Sequence, residues 1–128
     1  MKIALTLAVL SCTATASFAD KSILDNKKTV KVDCVKDPNV MVNGNGNNVK
    51  TKGTCAAVTV TGNGNHVTVE AATTVSVGGN ENALTIDAVD TLSVTGNKNA
   101  VTYKRAVTKD AQPVVSTTGK DDKVVQAK

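Results

Sequence analysis

The thirteen residues "VTVTGNGNHVTVE", Val58 to Glu70, read twice as an alternating apolar and polar segment, interrupted in the middle by small polar residues. Alternation with β-branched residues is a strand signal, and Gly with Asn is a corner signal. A Gly-rich loop between strands also invites a phosphate. Such loops, however, lead into a helix whose N–H groups face the anion. Here Gly62-x-Gly64 has Val67 where a third glycine belongs, no P-loop lysine is present, and a strand follows. The local reading is a corner joining two short strands.

The same phrase recurs. Aligned on glycine, the copies are "VNGNGNNVKTK" from Val42, "VTGNGNHVTVE" from Val60, "VGGNENALTID" from Val77 and "VTGNKNAVTYK" from Val94. Gly44, Gly62, Gly79 and Gly96 are spaced by 18, 17 and 17 residues, and "TTGKDDKVVQ" adds a degraded copy at Gly119 after a gap of 23. In each copy Val58/Val60, Val75/Val77 or Leu92/Val94 forms one apolar pair, and Val67/Val69, Leu84/Ile86 or Val101/Tyr103 the other. Strands this short cannot bury an apolar side alone, whereas stacked coils build a continuous core. The expected fold is all-β: a small single-domain parallel β-helix, or solenoid, of about four coils with a repeat of 17–18 residues. A meander of antiparallel hairpins fits less well, because hairpins do not demand column-by-column identity at 17 residues.

Stacking gives the corner residues a structural role. Gly44, Gly62, Gly79 and Gly96 supply left-handed corners, a geometry open to Asn as well. Asn63, Asn80 and Asn97 are expected to form one amide ladder, with Asn65, Asn82 and Asn99 forming a second.

Around this array the chain divides simply. Residues 1–19 have a basic Lys2, an apolar run and small residues before Asp20, the pattern of a secretory signal peptide too short to span a bilayer. Residues 20–28 are expected to be a flexible lead-in, 29–104 the solenoid repeats, and 105–128 a degenerate final repeat with a charged tail. Export to the periplasm or beyond follows, without a transmembrane segment; a lipid anchor on Cys12 is disfavoured because it would leave only 11 residues of signal. In an exported chain Cys34 and Cys55 are expected to pair.

Between Thr54 and Tyr103 the only basic residue is Lys98, and Lys and Arg otherwise crowd the two flanks. This arrangement, with Tyr103 the sole aromatic past the leader, does not suit nucleic acid. Irregular charged flanks instead suit the open ends of a solenoid, where they oppose edge-to-edge addition. No cofactor or metal is expected. His66 is the only histidine, and Asn stands where calcium-binding coils carry Asp. No catalytic residues are expected either. Glu70, Asp87 and Asp90 are the carboxylates to watch, but His66 has Ala83 and Ala100 in its column and no evident partner. A binding role would fall on the outward polar columns Thr59, Ser76, Ser93 and Thr68, Thr85, Thr102, which could meet a glycan or an envelope protein.

The segments "VTVTGNGNHVTVE", "GNENALTID" and "GNKNAVTYK", with the pair "VDC…KGTC", resemble the bacterial domain-of-unknown-function family 3060 across roughly Thr29 to Val125. The resemblance implies an exported envelope protein with no established activity, and it carries no catalytic residue. The "GNxNxA" phrasing is also similar to curli-type amyloid repeats, without their Gln ladder positions. Departures from a regular array are the insertion around Arg105 to Gln112 and "GKDD" in place of "GNxN". The expected function is that of a non-enzymatic structural or binding solenoid of the bacterial envelope. A self-associating surface protein is the alternative, and a polysaccharide-acting enzyme is less favoured.

Overall fold

The computed structural model describes residues 20–128; the expected signal peptide at 1–19 lies outside the described residues. Ten strands follow one another: β1 (Asp20–Ile23), β2 (Thr29–Asp33), β3 (Asn39–Asn43), β4 (Asn48–Lys52), β5 (Thr54–Asn63), β6 (His66–Asn80), β7 (Ala83–Asn97), β8 (Ala100–Arg105), β9 (Val114–Lys120) and β10 (Lys123–Gln126). Every pairing is parallel. One stack of rungs runs through β1, β3, β5 and the second halves of β6 and β7 to β9. The other runs through β2, β4 and the first halves of β6 and β7 to β8 and β10. The protein is a parallel β-solenoid of about five turns.

That is more than the four coils read from the repeat, because a further coil precedes them. Residues 20–28, read as a flexible lead-in, hold β1 and the first corner, Asp25 to Lys28. Only Asn26 survives there from the consensus, which hides this coil from a pattern search. Residues 114–126 form the last coil, after the insertion at 106–113.

Period-two alternation sends one set of side chains inward at every rung. Val40, Val58, Val75 and Leu92 stack as one buried column, Val42, Val60, Val77 and Val94 as a second, and Val49, Val67, Leu84 and Val101 as a third. Val69 over Ile86 continues the core. An inward column absent from the sequence reading, Cys55–Ala72–Val89, lies on a short third segment of the coil. Its small residues suit the bend where β6 and β7 pass from one stack to the other. Beside it, the Cys34–Cys55 disulfide, with Cα atoms 4.8 Å apart, ties the first coil to its neighbour. Closing that loop stabilises the fold by on the order of 3 kcal/mol.

The corner explains why the motif is G-N-x-N. At its first position a Cβ on Gly62, Gly79, Gly96 or Gly119 would run into the carbonyl oxygen of the preceding coil's glycine. Only hydrogen fits. At its fourth position the side-chain amide of the same coil donates to that carbonyl: Asn65 Nδ2 to Gly44 O at 2.8 Å, Asn82 to Gly62 O at 2.9 Å, Asn99 to Gly79 O at 3.0 Å. From Gly62 on, positive φ falls on the first and third positions, with Glu81 at φ 57° and Lys98 at φ 56°. At the two earlier corners it falls on the third alone, at Lys27 and Gly46, so the expectation of a left-handed Gly44 is corrected. No asparagine among the described residues has positive φ. The asparagines are therefore selected for their side chains, and the expectation that they also serve left-handed geometry is corrected.

Both amide ladders are present, with opposite polarity. Outer asparagines donate toward the preceding coil: Asn80 Nδ2 to Asn63 Oδ1 and Asn97 Nδ2 to Asn80 Oδ1, each at 3.1 Å. Inner asparagines, about 1% exposed, donate toward the following coil: Asn65 to Asn82 and Asn82 to Asn99, each at 3.1 Å. Each inner Oδ1 also accepts the backbone N–H of the inner asparagine one coil earlier. Asp122, an acceptor, ends this ladder by taking both the N–H and the Nδ2 of Asn99.

Two measurements test this account. Gly79→Ala should lower unfolding free energy by about 3–5 kcal/mol, because backbone on both sides bars relief. Gly64→Ala, whose Cβ would meet nothing within 4 Å, should lose only about 1–2 kcal/mol from left-handed strain. Equal urea midpoints would refute the close-approach explanation. By the same assay, Asn82→Ala should cost about 3 kcal/mol by leaving buried partners unpaired, against about 1 kcal/mol or less for exposed Asn80→Ala.

Candidate functional site

The two polar columns singled out from the sequence are both real, but they do not converge. Thr59, Ser76 and Ser93 stack in register on the outer face of the first strand stack, and Thr68, Thr85 and Thr102 on that of the second. The Asn corner separates them. A groove of about 700 Å³ runs along the second face, across the strands. Its floor is the backbone around Val32, Thr51 and Val69. One wall is the column Lys31–Lys50–Thr68–Thr85, and the other carries Asp33, Lys52, Glu70, Asp87 and Lys104. A strand sends residues i and i+2 to the same face, so two outward columns with one backbone position between them leave a channel along the solenoid axis.

Four lysines line the groove against three acids, yet the acids are already engaged. Asp87 pairs with Lys104 at 3.5 Å and with Arg105 at 3.1 Å. A Glu70 carboxylate oxygen accepts the Gly53 N–H at 2.8 Å, and Asp33 accepts the Val35 N–H at 3.1 Å. Lys31, Lys50 and Lys52 make no ion pair among the described residues. Lys31 lies in register beside Lys50 on the adjacent strand, so two like charges face each other at roughly 4.8 Å rung spacing. Such a pair is destabilising on its own. The signal was available in the sequence, because "TVKVD" and "NVKTK" align lysine on lysine once the first coil is recognised.

The remaining candidates have structural places. His66 is exposed at the start of β6, in register with Ala83. Asp90 anchors the insertion: its carboxylate takes the Thr108 N–H at 2.9 Å and the Thr108 hydroxyl at 2.8 Å. Those bonds, the backbone one foremost, hold its pKa below the ordinary aspartate range. Among the described residues no helix is long and apolar enough to cross a membrane.

Fold and corner chemistry together define the class: an Asn-ladder parallel β-solenoid with a groove along one face. The family model described as "Protein of unknown function (DUF3060)" matches residues 42–87 and again 71–121, and the chain belongs to that family. Each match spans between two and three coils, so the model slides along the repeat. No curated protein and no solved structure matches the chain.

The Asp90 contact carries a pH dependence. A depressed carboxylate contributes stability that is complete above its unfolded pKa, about 3.9, and lost as pH falls through the lower folded value. The Thr108 amide resonance should therefore titrate with a midpoint below the ordinary aspartate range and lose that titration in Asp90→Asn. A midpoint at or above the ordinary value would contradict the anchoring role.

Proposed function

We propose that the chain is an exported, non-enzymatic binding solenoid of the bacterial cell envelope, and that its axial groove holds an extended acidic glycan. The observation that carries this reading is the in-register pair Lys31–Lys50, neither of which makes an ion pair among the described residues, while Lys52 across the channel lies in register beside Asp33. An anion lying across Lys31 and Lys50 relieves their mutual repulsion. From there the wall continues as Thr68 and Thr85, whose hydroxyls can donate to and accept from sugar hydroxyls. Rungs repeat about every 4.8 Å, so the site offers similar groups along a line, which suits a polymer better than a small molecule.

Export is supported by the N-terminal pattern and by the Cys34–Cys55 disulfide, which suits an oxidising compartment. The non-catalytic reading is supported by the engagement of Glu70, Asp87 and Asp90 in bonds that hold the coils and the insertion.

Affinity electrophoresis in gels containing polygalacturonate, beside gels containing a neutral glucan, tests the reading. The chain should be retarded by the polyuronate alone, and less so as salt rises. Lys31→Ala/Lys50→Ala should weaken binding by about tenfold, roughly 1.4 kcal/mol, with no change in fold. Equal retardation by both polymers, or a variant that binds as tightly as the native chain, would remove the proposal.

A further inference from the structure

We propose that the first coil is a built-in stop that prevents copies of this chain from stacking end to end, and that Asp25 and Lys21 are the residues that make it one. A parallel solenoid leaves an unpaired rung at each end, here β1 with β2 and β9 with β10. Joining the last coil of one copy to the first coil of another is a heterologous contact, which grows without limit. Most columns would accept the join. Val124 would meet Val30, Thr117 would meet Ile23, and Ser116 would lie beside Ser22.

Two columns would not. In the glycine column each residue rests on the preceding coil's carbonyl, with no room for a Cβ. Asp25 belongs to that column, since Gly44 sits over its carbonyl and Asn47 Nδ2 donates to it at 2.7 Å. It is the one member of the column that carries a side chain. No coil precedes it within the described residues, so its Cβ occupies the place where a neighbour's Gly119 carbonyl would have to lie. Lys21 pairs in register with Val40 and so heads the core column Val40–Val58–Val75–Leu92–Val115. Stacking would press its ammonium against the neighbour's Val115 with no acid in the column. A charge at an inward edge position is costly to bury and harmless while exposed. Two attractive pairs would fall in register at the corner, Lys28 against the neighbour's Asp122 and Lys27 against its Asp121, and neither ion pair relieves the backbone overlap beside it.

The stop is independent of the groove, and the full chain tests it by sedimentation velocity across a wide concentration range. The native chain should remain a monomer. Lys21→Val/Asp25→Gly should give species whose mass grows with concentration. A cysteine pair, Ser22→Cys and Ser116→Cys, reports the geometry. The two sites lie about 24 Å apart within one copy, five rung spacings, and become neighbours only across a head-to-tail join. Intermolecular cross-links between them should form in the Lys21→Val/Asp25→Gly background and not in the native one. Circular dichroism confirms that the variant is folded. Cross-linking in the native background would overturn the proposal whether or not the variant folds. A folded variant that stays monomeric would also overturn it, as would one that assembles without 22–116 cross-links.

Discussion

The contact on which the solenoid depends is a carbonyl oxygen lodged against a glycine. At each corner the backbone of one coil approaches the next closely enough that Gly62 receives the Gly44 carbonyl where a Cβ would stand. Three residues later, Asn65 donates its amide to that same oxygen. Glycine makes the approach possible, and asparagine satisfies the acceptor that the approach buries. Because Asn65 also bonds Asn82 of the following coil, a single side chain joins three levels. Repetition of this arrangement holds the strands in register, and register in turn places valine on valine through the core.

Regularity creates the groove, and departures from it give the groove its chemistry. Two outward columns one backbone position apart form a channel wherever the strands are straight. What lines the channel depends on the residues that each copy is free to vary. The early coils place lysines there and the later coils threonines, while Glu70 and Asp87 are turned to holding Gly53 and Lys104 with Arg105. The ends follow the same rule. Asp25 and Lys21 depart from the glycine and core columns in the first of the described coils, and Asp122 closes the inner ladder as an acceptor.

Much of this was legible in the chain itself. The 17-residue spacing of Gly62, Gly79 and Gly96 implied stacked coils, and the alternation of Val58/Val60 and Val67/Val69 named the inward face. The ladders at Asn63 and Asn65 and the pairing of Cys34 with Cys55 followed from stacking and from the cysteine count. The first coil was missed because Asp25 and Lys28 replace two of the four corner residues, and a pattern search sees only sequence similarity. In space that corner keeps its register through backbone atoms, which any residue supplies.

The sequence by itself determined the repeat, the parallel stacking and the identity of the core columns, because these depend on periodicity, and periodicity is a property of order along the chain. Tertiary structure alone decided which backbone positions turn left-handed, which carbonyl each glycine accommodates, and that Lys31 comes to lie beside Lys50 on the wall of a channel. Those outcomes depend on distances between residues nearly twenty positions apart. They became definite only when hydrogen bonds between coils set one rung directly on the next.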